Sequence, residues 1–155
     1  MIKTVQLYLA EWSVVPSFEG VSEALAKAQA KMLSWGIDPH RAMEIELALA
    51  EAMNNSVEHG LVRVLHPRLK LKLSKAEDNL VCSISDNAPS FELPCATNAA
   101  ENADASVQSR RDGGFGWHIV HSIAASISSS RCNGTNETTL MFVTRGSQTQ
   151  EGAIL

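Results

Sequence analysis

Glu51, Asn55 and His59 recur every four residues in a chain of 155, the spacing that puts three side chains on one face of an α-helix. The chemistry open to such a row is specific. Asparagine offers a hard carbonyl oxygen to a divalent cation, and glutamate accepts a proton or contacts a metal through water. Around the row stand Met43, Ile45, Leu47, Ala48, Ala50, Ala52 and Met53, which spread over most of the helix and predict burial on most sides. Polar groups facing an apolar interior cost free energy unless paired, so the row asks for ligands. On spacing alone it also fits the solvated side of a helix, and the rest of the chain has to decide.

Three further clusters bear on that decision. Asp86-Asn87-Ala88 follows an alternating apolar segment and by itself reads as an Asx turn after a strand. Gly113-Gly114-Phe115-Gly116-Trp117 opens another apolar stretch; glycines there let backbone amides face phosphate oxygens, with the positive end of a helix dipole behind them. Arg110 and Arg111 just upstream are suited to pair with phosphate oxygens or form a solvated pair. Asn133-Gly134-Thr135-Asn136-Glu137-Thr138-Thr139 reads as a hairpin turn with three threonines beside it.

The elements that must position these residues follow from periodicity. Lys3–Leu9 alternates, with Val5, Leu7 and Leu9 on one side, and predicts a half-buried strand. Pro16 and Ser17 introduce an amphipathic helix over Phe18–Trp35 with Val21, Ala24, Leu25, Ala28, Met32 and Leu33 on its apolar face, closed by Gly36. Asp38-Pro39 starts a second helix that runs to Gly60 and carries the Glu51 row. Arg68–Ser74 and Asn79–Ser85 flank Lys75–Asp78 as a hairpin, Phe115–Ile127 is a helix, and strands near Ser126–Arg131 and Glu137–Thr144 close the domain. Between Ala88 and Gly114 periodicity vanishes, as expected of a lid. Residues 1–145 are therefore one domain, with 88–114 as lid and 146–155 as a tail.

Taken together and in order, these motifs resemble the GHKL group of ATPases, most closely its single-domain anti-sigma-factor serine kinases. The E-x-x-x-N motif stands as Glu51-Ala52-Met53-Asn54-Asn55 with His59-Gly60 after it, D-x-G as Asp86-Asn87-Ala88, G-x-G as Gly114-Phe115-Gly116, and the closing G-T pair as Gly134-Thr135. The resemblance covers about Leu9 to Val143. It implies a two-layer α/β sandwich, an α+β arrangement with a mixed, mainly antiparallel sheet covered on one face by helices, and a nucleotide site with ATP or ADP and Mg²⁺. Asn55 would bind the metal and Glu51 would act as general base. Asp86 would accept a hydrogen bond from adenine. His59, Ala88, Arg111, Gly114, Gly116, Trp117 and one of Thr135, Thr138 or Thr139, assigned as Thr138, would line the site. Two positions depart from the pattern: Ala88 replaces a glycine, a strain of roughly 1 kcal/mol if its φ is positive, and Trp117 replaces a leucine.

The resemblance further implies an anti-sigma factor that phosphorylates a small STAS-type antagonist, sequesters a sigma factor by partner switching and forms a homodimer. The alternative is a nucleotide-binding module that acts by protein binding alone; a histidine kinase catalytic domain is a third reading. Composition narrows the classes on its own terms. A net charge of −4 with scattered basic residues argues against direct nucleic-acid binding. No apolar run reaches membrane-spanning length, the N-terminus lacks the features of a secretory signal, and Cys82, Cys95 and Cys132 fit reduced thiols, so a cytoplasmic location is expected.

Overall fold

Leu69, Leu71 and Leu73 alternate with Lys70, Lys72 and Ser74, and Leu80, Cys82 and Ile84 with Val81, Ser83 and Ser85. In the computed structural model, which describes residues 4–90 and 114–145, this period of two makes the antiparallel strands β2 (Leu69–Ala76) and β3 (Asn79–Asp86). A two-residue turn joins them, with Glu77 at φ 52°. β4 (Ser126–Cys132) and β5 (Thr135–Val143) form a second hairpin on Asn133 and Gly134, whose φ values of 51° and 77° are those a type I′ turn requires. With β1 (Leu7–Val14) beside β2, the sheet runs β1-β2-β3-β5-β4, antiparallel throughout.

Three helices cover one face. Ser17 caps α1 (Phe18–Ser34) by accepting from the Gly20 amide at 2.9 Å, and Asp38 caps α2 (Pro39–Asn55) by accepting from the His40 and Arg41 amides at 3.1 and 3.2 Å. α2 packs against both α1 and α3 (Gly114–Ile123). Arg41 ties its start to the far end of the domain, donating from Nε to the Val143 carbonyl at 2.8 Å and from Nη2 to that of Ile123 at 3.3 Å. Val21, Leu25, Ala28 and Met32 of α1, Ile45, Ala48, Leu49 and Met53 of α2 and Val120 of α3 meet Leu71, Leu73, Leu80, Cys82, Leu140 and Phe142 of the sheet in one core. The sandwich is therefore the α+β fold expected. No helix among the described residues is long and apolar enough to cross a membrane.

Three sequence expectations shift. The first strand lies later than Lys3–Leu9, and its inward face is the other one. Tyr8, Ala10, Trp12 and Val14 turn to the helices, in register with Lys75, Leu73, Leu71 and Leu69, whereas Leu7 and Leu9 are 57% and 59% exposed. Because side chains alternate strictly, pairing with β2 decides the face. The second helix stays α-helical only to Asn55, and Ser56–Gly60 continues as a π-turn in which the Leu61 amide donates to the Ser56 carbonyl at 2.7 Å. The third helix ends at Ile123, so Ser126 and Ile127 belong to β4.

Gly20 fixes the entry of α1. A Cβ there would overlap the Val15 carbonyl oxygen at the end of β1. Backbone cannot yield as a flexible side chain does, so Gly20→Ala is expected to cost about 1–3 kcal/mol, read as a lower urea midpoint with an unchanged slope.

Candidate functional site

The inner face of the sheet changes character along its strands. On β3 the buried row Leu80, Cys82, Ile84 ends at Asp86, and on β5 the row Phe142, Leu140 continues as Thr138 and Asn136. Asp86 and Asn136 are cross-strand partners, and each is 5% exposed. A carboxylate at such a depth needs donors. It has three: Oδ1 accepts from the Asn136 amide at 2.9 Å and from the Ala88 backbone at 3.0 Å, and Oδ2 accepts from the Ser56 hydroxyl at 2.9 Å.

Ser56 is where α2 meets this polar end. One residue earlier, Asn55 is half-buried, and its Nδ2 is buried with no hydrogen-bond partner; so is Oδ1 of Asn54. Turning the Asn55 amide over exchanges Nδ2 for Oδ1 at the same place, so either orientation leaves a polar atom that asks for a ligand: an acceptor such as a phosphate oxygen, or a hard cation. One turn back, Glu51 is half-buried against the start of α3, so close that a Cβ on Gly116 would overlap Glu51 Oε2. A side chain at 116 would make the carboxylate swing aside from this place. These groups fit a Mg-nucleotide: an amide oxygen for the metal, a carboxylate beside it, and helix-start amides for phosphate oxygens.

His59 does not continue the row. The π-turn rotates it away, its side chain is 39% exposed, and Nε2 lies 3.8 Å from Glu58 Oε2. Thr138 points inward beside Asp86 and Asn136, whereas strand alternation puts Thr135 and Thr139 on the opposite face. Thr135 instead borders a cleft of about 500 Å³ at the end of the sheet, together with Ser13, Arg68, Lys70, Ser85 and Asn87. Trp117 is buried in the core, Gly114 is the first residue of α3, and Arg111 lies outside the described residues, as does most of the lid.

A family profile for the histidine kinase-like ATPase domain matches residues 15–142. The chain belongs to that family. Among solved structures, this histidine kinase-like ATPase domain is similar to the crystal structure of the RsbU and RsbW domains of Rv1364c from Mycobacterium tuberculosis, with TM-score 0.62 and 15% identity over 90% of this chain and 33% of that one. It is also similar to the histidine kinase domain of the EL346 blue-light activated histidine kinase from Erythrobacter litoralis, with TM-score 0.52 and 13% identity over 82% and 60%. The chain thus spans a third of the first and three fifths of the second, and at such identities the likeness is one of fold. No curated protein matches the sequence significantly.

Within this ATPase domain Ser56, Asn136 and Arg131 escape the motif reading. Asn136 looks like part of a turn, yet the parity that puts Leu140 and Phe142 inward puts it inward too. Arg131, its cross-strand partner on β4, donates from Nη1 to Asn136 Oδ1 at 2.7 Å and to the Ala88 carbonyl at 2.9 Å. Asn87 does separate work, accepting from the Arg68 amide at 2.7 Å and donating to the His66 carbonyl at 2.8 Å.

The structure also accounts for Ala88. Its φ is not positive, since among the described non-glycine residues only Glu77 and Asn133 have such values. The space its methyl occupies comes from Gly60, where a Cβ would lie 2.8 Å from that of Ala88. Gly60 thus leaves room for the Ala88 methyl across the π-turn. Gly60→Ala is accordingly expected to destabilise by roughly 1–3 kcal/mol and Ala88→Gly by about 1 kcal/mol. The double variant should recover part of the sum, a coupling of at least about 0.5 kcal/mol in a denaturation cycle.

Proposed function

We propose that this domain is an anti-sigma factor and serine/threonine protein kinase that binds Mg-ATP, phosphorylates a small STAS-type antagonist and sequesters a sigma factor. The observation that carries the kinase part is the seating of Glu51: a half-buried carboxylate lying against the glycine at the start of α3, one helical turn from the unpartnered amide of Asn55. A domain that only held nucleotide would have no use for a base there. The anti-sigma part is supported by the order of the four motifs and by the likeness of fold to a structure that contains an RsbW domain; a homodimer belongs to the same reading.

In this reading Asn55 offers its carbonyl oxygen to the metal, and Asp86 accepts from the amino group of adenine with Thr138 beside it. The amides at Gly114 and Gly116, with Arg111 upstream, face the phosphates, and Ala88 and Trp117 shape the wall. Bound Mg-ATP supplies the transferable phosphoryl group and neutralises the charge that develops in transfer. Glu51 would take the proton of the antagonist's serine hydroxyl while the γ-phosphoryl group passes to that oxygen, its bond to the bridging oxygen breaks and ADP leaves. His59, turned outward by the π-turn, serves at the rim. An alanine at 88 without positive φ carries no backbone strain into the site and so gives the binding-only alternative no support.

Incubation with labelled ATP, Mg²⁺ and candidate STAS proteins separates the readings. Asn55→Ala is expected to abolish Mg-ATP binding; Glu51→Ala is expected to keep binding and lose label transfer by about 100-fold or more. Transfer that survives Glu51→Ala would falsify the base assignment, and an unaltered protein that binds ATP but labels nothing would leave binding alone as the function.

A further inference from the structure

The hydrogen bonds around Asp86 determine more than its position, and their bearing on ligand choice rests on the reading of this pocket as an ATP site. A carboxylate offers about four lone-pair positions. Three are occupied, two on Oδ1 by Asn136 and Ala88 and one on Oδ2 by Ser56. The remaining one is on Oδ2, the oxygen bound to the residue that follows Asn55.

What keeps that arrangement from inverting is the outer half of the network. An asparagine amide can turn over and present oxygen instead of nitrogen. Here it cannot do so without cost, because Asn136 Nδ2 faces only acceptors: Asp86 Oδ1 at 2.9 Å and the carbonyls of Ala88 at 2.9 Å and Pro89 at 3.3 Å. Its Oδ1 faces the Arg131 guanidinium at 2.7 Å. The turned amide would set an NH₂ against a cation and an oxygen against a carboxylate. Arg131 itself sits on an edge strand, outside every motif, and reaches the carboxylate only through Asn136 and the Ala88 backbone.

We propose that Asn136 and Arg131 are positioning residues for base selection. They hold Asp86 as an acceptor with a single open lone pair, so the pocket admits a purine that donates at its six position and rejects one that carries an oxo group there. Two lone pairs brought together in a buried site lose a hydrogen bond and leave both acceptors desolvated.

The test measures the affinities of ATP and ITP, which differ at the six position and the adjoining ring nitrogen, for the full chain and for Arg131→Ala, Arg131→Lys and Asn136→Leu, with melting temperatures alongside. The unaltered protein is expected to favour ATP by about 10- to 100-fold. Arg131→Ala and Asn136→Leu should reduce that ratio at least about fivefold, and Arg131→Lys should restore most of it. A role in folding alone would weaken both nucleotides together, lower the melting temperature and leave the ratio unchanged; that result in Arg131→Ala overturns the proposal, as does an unaltered protein that binds both equally. If the unaltered protein binds neither nucleotide, the ATP-site reading itself falls and takes this inference with it. Should Asn136→Leu not fold, the exposed Arg131 pair still decides the matter.

Discussion

The buried carboxylate of Asp86 organises the polar end of this domain. Asp86 lies in the inner face of a sheet that is otherwise apolar over most of its length, and a carboxylate removed from water is tolerated only where donors replace the lost hydration. Each donor arrives from a different part of the chain: Ser56 from the end of α2, Asn136 from β5, and the Ala88 amide from the segment that leaves β3. Satisfying one charge therefore fixes the distance between the helix layer and the sheet at the place where Asn55 stands. The kinase reading and the base-selection proposal both rest on that spacing.

The α2 helix has to serve two masters along its length. Its middle packs Ile45, Ala48, Leu49 and Ala52 into the core, while its last turn must bring Glu51 to α3 and Ser56 to the sheet. The change from α to π geometry at Ser56 lets the chain do this and then turn away toward β2. Gly60 closes that turn against Ala88, and Gly116 admits Glu51. At both places a missing side chain on one element makes room for a side chain on another, which is how two helices and a strand come within contact distance in so small a volume.

Much of the fold was legible because burial imposes period. The leucines of β2, the alternation in β3 and the spacing in α1 identify their elements, and Ser17 and Asp38 mark both helix starts by ordinary capping chemistry. The inward face of the first strand is ambiguous for a reason of the same kind: Val5, Leu7 and Leu9 alternate as well as Tyr8, Ala10, Trp12 and Val14 do. A strand carries two such faces, and only the partner strand says which one is covered.

Residue type and local spacing set the order of elements and the chemistry available: a carboxylate and an amide four residues apart on a helix, an aspartate at a strand end, glycines before a helix. These are properties of near neighbours in the chain, and backbone geometry translates them directly into shared faces. Tertiary structure alone decided that Asn136 is a buried partner of Asp86, that Arg131 fixes its amide, that His59 leaves the row, and that Ala88 is unstrained because Gly60 yields the space. The first and last of those join residues dozens of positions apart, and the other two follow from hairpin register and a change of helix type, none of which a local period records.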